Sequence, residues 1–229
     1  MNKLSIIIPV YNEKDTILKI LSLVEAVVLP DIIKEIIIVD DKSTDGTREI
    51  LGSLKDKYKI ILKDKNEGKG AALRTGFEAM TGDIVIIQDA DLEYDPQDYY
   101  KLIKPILDGR EKVVYGSRNL NKKNQSSGFT YYWGGRLLSW LTNFLYGTKI
   151  TDEPTCYKVF QADILNNLDL KCAGFEFCPE VTAKIARQGI NIYEEPIKYF
   201  PRSIIDGKKI RWHDGWAAIW TLIKYRFIK

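Results

Sequence analysis

Asp89-Ala90-Asp91 closes the apolar run Ile84-Val85-Ile86-Ile87-Gln88, and Glu93 follows two residues later. Opened by Gly82-Asp83, the run reads as a buried strand. Carboxylates at the carboxyl end of a buried strand are costly unless a cation meets them. An oxygen-only donor set suits Mg²⁺ or Mn²⁺, and Mg²⁺ commonly bridges protein carboxylates to substrate phosphates. The plainer alternative is a solvated acidic loop, or the cap of a helix beginning near Asp95-Pro96.

The elements that must position these acids alternate. Leu4-Val10 reads as a strand, and Ile17, Ile20, Leu21, Val24 and Val28 follow at helical spacing. Ile36-Asp40 is a second strand ending in Asp40-Asp41, followed by a helix that Ser43, Thr44 or Asp45 can cap. Tyr58-Leu62 is a strand, Gly70-Met80 a helix, Ile84-Gln88 a strand, Pro96-Leu107 a helix, and Val113-Tyr115 opens a fifth strand. Continuously apolar strands separated by helices indicate an α/β fold, a mostly parallel sheet with helices on both faces. Ligands in such sheets sit beyond the carboxyl ends of the strands. Asn12-Glu13, Asp40-Asp41, Asp89-Asp91 and Ser117-Arg118 all fall there.

After about residue 120 the alternation weakens. A polar stretch from Asn121 to Gly128 reads as a loop. Tyr131-Tyr146 is a helix, Cys156-Phe160 and Asn191-Tyr199 are further strands, and a helix lies near Pro179-Gln188. No repeat or linker divides the 229 residues, which read as one domain. Residues 1–120, where strands and helices alternate, form a first part, 121–212 a second and 213–229 an amphipathic tail.

Composition narrows the function. A net charge of +3 and the lack of any recognition motif argue against nucleic acid. Cys156, Cys172 and Cys178 have no metal-ligand spacing and, with His213 the only histidine, make no zinc site. They read as buried thiols in a reducing compartment. The chain enters a strand at once, without a signal peptide, and no apolar run approaches the ~18 residues that span a bilayer. Gly68-Lys69-Gly70-Ala71-Ala72-Leu73 lacks the third glycine of a dinucleotide fingerprint, and the first strand-turn, Pro9-Val10-Tyr11-Asn12-Glu13, has no glycine. A P-loop is absent. Asp45-Gly46-Thr47 suggests an aspartyl phosphatase, but the first acid of that motif would fall at Ser43.

Five motifs then stand in order: Pro9-Val10-Tyr11-Asn12-Glu13, Val39-Asp40-Asp41 through Thr47, Asn66-Glu67-Gly68-Lys69-Gly70, Asp89-Ala90-Asp91-Leu92 and Gly116-Ser117-Arg118. Together they resemble the family 2 glycosyltransferases of GT-A fold, and within them the dolichyl- and polyprenyl-phosphate mannose and glucose synthases. Gly174 to Glu180 and Glu195-Pro196 through Arg202 extend the likeness over almost the whole chain. The resemblance implies that Pro9, Tyr11 and Glu13 hold the nucleobase and ribose of a nucleotide sugar, with Asp41 nearby. The donor would be GDP-mannose, UDP-glucose or UDP-N-acetylglucosamine. Asp89 and Asp91 would bind Mg²⁺ or Mn²⁺ against the donor diphosphate, with Glu93 as a further ligand. Lys69 would touch phosphate or sugar; its alternative is a solvated loop lysine.

The implied acceptor is a polyprenyl phosphate, already anionic, so no strong base is needed. Arginine suits phosphate through its planar, permanently charged fork. The resemblance places Arg118, Arg136 and Arg202 at the acceptor phosphate, with Ser139 one helical turn beyond Arg136. Asp91, Arg118, Arg136 and Arg202 would then carry catalysis. In-line attack would invert the anomeric centre. Lys208 and Lys209, in a stretch such enzymes use as a loop over the acceptor, would help gather its phosphate; an exposed basic turn is the alternative.

The helix 131–146 carries Tyr131, Tyr132, Trp133, Trp140, Phe144 and Tyr146. In the tail, Trp216, Ile219, Trp220, Ile223 and Phe227 follow helical spacing beside Lys224, Arg226 and Lys229. That is the pattern of a helix lying in a membrane interface. A terminal helix docked on the core or on a partner subunit is the alternative. The expectation is a cytoplasmic protein, peripheral on the inner face of the cell membrane, anchored by itself, by a partner or as a homo-oligomer. Two other functions remain open: a family 2 transferase with a glycan acceptor, using Glu176 or Glu180 as base, and a non-catalytic scaffold.

Overall fold

Strands β1 (Asn2–Val10) and β4 (Ile84–Ile87) lie side by side in the middle of a seven-stranded sheet. Ile6, Ile7 and Ile8 are consecutive in β1 and all fully buried. Successive strand side chains point to opposite faces, so both faces of the sheet are covered. The computed structural model describes residues 2–125, 128–202, 209 and 211–228.

The N-terminal half alternates as its apolar runs require. After β1 come α1 (Ile17–Ala26), β2 (Ile32–Asp40), α2 (Thr47–Gly52), β3 (Lys59–Leu62) and α3 (Lys69–Ala79). β4 leads through a short 3-10 turn to α4 (Tyr99–Leu107) and β5 (Val113–Ser117). Then follow α5 (Phe129–Tyr146), β6 (Lys158–Gln161), α6 (Ala162–Asn166), α7 (Phe177–Arg187), β7 (Tyr193–Pro196) and α8 (Trp212–Phe227). The strand order is β3-β2-β1-β4-β6-β5-β7. β6 runs antiparallel to β4 and β5, and the other pairs are parallel. The strand order turns back between β1 and β4, which opens a crevice at their carboxyl ends.

Several local features differ from the sequence reading: the strand expected over 191–199 covers only Tyr193–Pro196, and Val28 lies beyond the end of α1 and is exposed. β2 begins at Ile32, earlier than the apolar run suggests, because Asn2 to Val10 pair with it along their whole length. α6 is unanticipated, being five residues long and too short to show a period.

The sheet strands and the helices against them form one apolar cluster. A second, smaller cluster joins α5, α7 and α8 through Ala183, Leu222 and Tyr225. Tyr146 of α5 donates its hydroxyl to the Leu222 carbonyl of α8 at 2.6 Å. Arg187 of α7 donates to the Tyr225 carbonyl at 2.7 Å. α8 is thus docked through Ala218, Thr221, Leu222 and Tyr225. Its other face carries Trp212, Trp216, Trp220 and Phe227, all between 65% and 80% exposed. On α5, Phe129, Trp133, Trp140 and Phe144 are likewise exposed, and the Trp140 and Phe144 rings stack at 5.7 Å. Docking on the core and an outward aromatic face therefore coexist in the same helix. Among the described residues no helix is long and apolar enough to cross a membrane.

Candidate active site

The loop after β1 is tied to the loop after β2. The Asn12 N–H donates to Ser43 Oγ at 2.9 Å, the Glu13 N–H to Thr47 Oγ1 at 3.0 Å, and Asn12 Oδ1 accepts from the Thr44 N–H at 2.8 Å. Asn12 has a φ of 50°, a left-handed conformation that asparagine tolerates. This turn aims Glu13 inward. Its carboxylate accepts from Arg202 Nη2 at 2.9 Å, Arg202 Nη1 at 3.2 Å and Lys209 Nζ at 2.6 Å. Burial pushes the acid up, but these donors outweigh it and hold Glu13 below the usual carboxylate range.

Asp41, at the end of β2, organises the next loop. Its carboxylate accepts from the N–H groups of Glu67 at 3.0 Å and Gly68 at 2.6 Å, and pairs with Lys63 at 3.0 Å. Gly68 has a φ of 96° and packs on the Ala173 carbonyl, where a Cβ would fall 2.6 Å away. A glycine is required there on both counts. The loop delivers Lys69, first residue of α3, to Asp89: Lys69 Nζ lies 2.6 Å from Oδ1 and 2.7 Å from Oδ2. Burial favours the neutral amine, but the Asp89 carboxylate dominates and raises the Lys69 pKa.

Asp89 itself is set from beneath. Gln88 is fully buried at the end of β4 and its Oε1 accepts the hydroxyls of Tyr99 and Tyr157, each at 2.7 Å. Its amide donates to the Asp89 carbonyl at 2.9 Å. Two residues on, burial and the neighbouring Asp89 and Glu93 carboxylates push Asp91 up to about 7, against the pull of Arg202, whose Nη2 is 3.4 Å away. Leu92 has a φ of 63°, and the Glu93 N–H turns back to Asp91 Oδ1 at 3.1 Å. The Glu93 carboxylate accepts the Tyr199 hydroxyl at 3.1 Å and the Arg202 N–H at 2.9 Å.

Arg118, just beyond β5, is gripped by Asp152. Its Nε lies 2.7 Å from Oδ2 and its Nη2 2.6 Å from Oδ1, with the guanidinium 5.1 Å from the Tyr199 ring centre. Glu13, Asp41, Lys69, Asp89, Asp91, Glu93, Arg118, Asp152, Tyr199 and Arg202 line one cavity of about 1390 Å³, which continues between α5 and α8. Leu137, Leu138, Trp212, Gly215 and Ile219 line its apolar end.

A seven-stranded, mostly parallel sheet with an acidic pair at the switch point is the setting of a known family. The glycosyl transferase family 2 profile, described as "Glycosyl transferase family 2", matches residues 5–169. The chain belongs to glycosyl transferase family 2. Similar proteins include a low-salt glycan biosynthesis hexosyltransferase of Haloferax volcanii, 29% identical over 94% of this chain and 52% of that protein. A dolichol-phosphate mannosyltransferase of Pyrococcus furiosus is 34% identical over 60% of this chain and 36% of that protein. The UDP-N-acetylglucosamine–dolichyl-phosphate N-acetylglucosaminyltransferase of Methanococcus voltae is 30% identical over 84% of each. Alignments with the first two thus span about half and about a third of those relatives. In fold the chain matches glucosyl-3-phosphoglycerate synthase of Mycobacterium tuberculosis, solved with Mn²⁺, UDP and phosphoglyceric acid, at a TM-score of 0.73 and 19% identity, over 100% of this chain and 80% of that one.

Within this family 2 transferase, Pro9, Tyr11, Glu13, Asp41, Lys69, Asp89, Asp91, Glu93, Arg118 and Arg202 all line the cavity. Arg202 meets Glu13 and Asp91 rather than standing apart with Arg118. Lys209 sits on Glu13, and Lys208 lies outside the described residues. Arg136 is exposed on α5 and is not among the cavity residues. Ser139 is also outside it: buried, its hydroxyl donates to the Gly135 carbonyl at 2.9 Å and accepts the Glu153 N–H at 2.9 Å. One helical turn from Arg136, it faces the core while Arg136 faces out, so the two do not share a face.

Glu176 and Glu180 do not line the cavity either. Glu180 is fully buried and holds the N–H groups of Lys171 and Cys172 at 2.8 and 2.7 Å. Glu176 accepts the Gly174 N–H at 3.1 Å. The sequence reading missed Asp152, the partner of Arg118, and Gln88, the support of Asp89. Asp152 precedes β6, whose antiparallel direction brings its amino end to the edge where the parallel strands end. Gln88 ends an apolar strand and is fully buried, the one signal that could have marked it.

Proposed function

We propose that this transferase moves a hexose, with mannose or glucose favoured, from a nucleotide sugar to the phosphate of a polyprenyl lipid at a membrane surface. The observation that supports this most is a single cavity with an acidic pole at Asp89, Asp91 and Glu93, a pinned arginine at Arg118 and an apolar end between α5 and α8. A donor diphosphate, an acceptor phosphate and a lipid chain need that sequence of environments. Two of the relatives named above are, by name, dolichyl-phosphate transferases.

The acidic pole offers the oxygen donors that a hard divalent cation takes, while among the described residues no three acids are gathered into a metal cluster. These donors are all carboxylates, and burial together with their mutual repulsion raises Asp91 to about 7. Asp91, with Asp89 and Glu93, would hold Mg²⁺ or Mn²⁺, which supplies Lewis-acid stabilisation of the departing nucleoside diphosphate. Arg118 would bind the acceptor phosphate, its plane and charge fixed by Asp152. Arg202, between Glu13 and Asp91, would hold the phosphates on the donor side. A phosphate monoester with a second pKa of about 6 is largely dianionic at neutral pH, so no side chain must take a proton. That suits a cavity that neither Glu176 nor Glu180 lines. Direct attack by the phosphate oxygen would invert the anomeric centre.

The exposed tryptophans stand on α5 and α8, the two helices that line the apolar end of the cavity, and Trp212 is itself one of its lining residues. With Lys224 and Arg226 beside them, they would lie in the headgroup region of an anionic leaflet. The test is a donor screen with a short-chain polyprenyl phosphate, Mg²⁺ or Mn²⁺, and GDP-mannose, UDP-glucose or UDP-N-acetylglucosamine. A sugar-phosphate lipid formed from one donor, and lost in Asp91→Ala, supports the proposal. Donor binding with metal but no lipid product from any donor overturns the acceptor.

A further inference from the structure

We infer that Lys69 is the resident counter-ion of Asp89 and keeps a divalent cation off the free protein, so that metal and nucleoside diphosphate enter together. This rests on the reading of Asp89 and Asp91 as the donor's metal pole. Lys69 Nζ covers both oxygens of Asp89, at 2.6 and 2.7 Å. Arg202 stands 3.4 Å from Asp91. Together the two cations offset most of the negative charge of Asp89, Asp91 and Glu93 and leave the cluster weakly negative. A bare divalent ion would reverse that sign, and the ammonium beside it would repel it. A diphosphate arriving with the ion restores the balance and offers Lys69 new oxygens.

The geometry allows this exchange to be made by one side chain. The Lys69 backbone is fixed, since Gly68 and Gly70 both pack on the 172–173 backbone and the Ala71 N–H donates to the Ala173 carbonyl at 3.0 Å. The amine, on four flexible carbons, can swing from carboxylate to phosphate without moving α3. The Phe175 ring, 5.9 Å from the amine, also favours a cation here.

The experiment is Mn²⁺ titration followed by the resonance of the free ion, with Mn²⁺ alone and with UDP or GDP. Wild type should bind Mn²⁺ at least tenfold tighter with the nucleotide than without it. Lys69→Met should bind Mn²⁺ alone at least tenfold tighter than wild type, while its nucleotide enhancement shrinks. Mn²⁺ binding to Lys69→Met no tighter than to wild type overturns the inference. Asp89→Asn keeps Lys69 but removes the charge it pairs with: affinity should fall in the presence of nucleotide and hardly change for Mn²⁺ alone. Equal losses in both conditions also overturn it. These isotherms contain no sugar or lipid, so a wrong acceptor leaves them unaltered. Absence of Mn²⁺ binding in every condition removes the metal reading and this inference with it.

Discussion

Gly70→Ala tests the placement of Lys69 most directly. A Cβ at Gly70 would lie 2.5 Å from the Cys172 carbonyl oxygen and 3.0 Å from both the carbonyl carbon and oxygen of Ala173. Ordinary carbon–oxygen contact is about 3.3 Å, so backbone must retreat by roughly 0.8 Å. That backbone cannot yield freely. Glu180 grips Lys171 and Cys172, and the Ala71 N–H is bonded to the Ala173 carbonyl. Overpacking against a held segment costs about 1–3 kcal/mol. Better helix propensity at the start of α3 returns up to about 1 kcal/mol. The net expectation is a loss of about 1–2 kcal/mol, which for a domain of this size lowers Tm by roughly 2–8 °C. Retreat of α3 would also draw Lys69 from Asp89 and weaken nucleoside diphosphate binding severalfold. Thermal unfolding and nucleotide titration read both effects. Gly52→Ala is the control: nothing lies within 4 Å of its Cβ, so it should be neutral or stabilising. A Gly70→Ala protein as stable as wild type and binding nucleotide equally well would refute the close approach and its consequence.

Asp41→Asn leaves one donor amide facing the N–H groups of Glu67 and Gly68 and removes the charge that Lys63 pairs with. It should cost about 1–3 kcal/mol in urea unfolding and weaken donor binding. Glu35 accepts from Ser5, Lys3 and Thr81, and although burial raises it, these donors bring it down to about 2 from 4.5. Because the folded pKa is depressed, its stabilisation is complete above pH 4.5 and is lost as pH falls toward 2. Glu35→Gln should therefore cost about 1–2 kcal/mol at pH 7, with the gap to wild type narrowing below pH 4.5. The double substitution Trp216→Ser with Trp220→Ser removes exposed rings and should change Tm little, within about 0.5 kcal/mol per site. Co-sedimentation with anionic vesicles should drop severalfold, and unchanged co-sedimentation would remove α8 from the membrane face.

Much of the architecture is legible because burial on both faces demands continuous apolar strands. Ile6-Ile7-Ile8 and Ile84-Val85-Ile86-Ile87 announce themselves, and the acids following Ile87 must then lie at a strand end. The order of motifs along the chain also carries the family, since each loop after a strand holds its own residues. Ser139 shows where this fails. Its spacing from Arg136 leaves the two side chains only about 60° apart, yet at the boundary of a buried face that is enough to take Ser139 into the core and leave Arg136 in solvent.

What the sequence determined by itself is therefore the local and periodic part: strands, helices, the acidic pair after β4 and the aromatic richness of α5 and α8. What tertiary structure decided is which charges meet. Asp152 reaches Arg118 across 34 residues, Glu13 reaches Arg202 across 189, and Lys69 reaches Asp89 across 20. Sheet order and the reversal at β6 create those encounters. An ion pair leaves no periodic trace, because its energy depends on distance in space and on the water excluded around it.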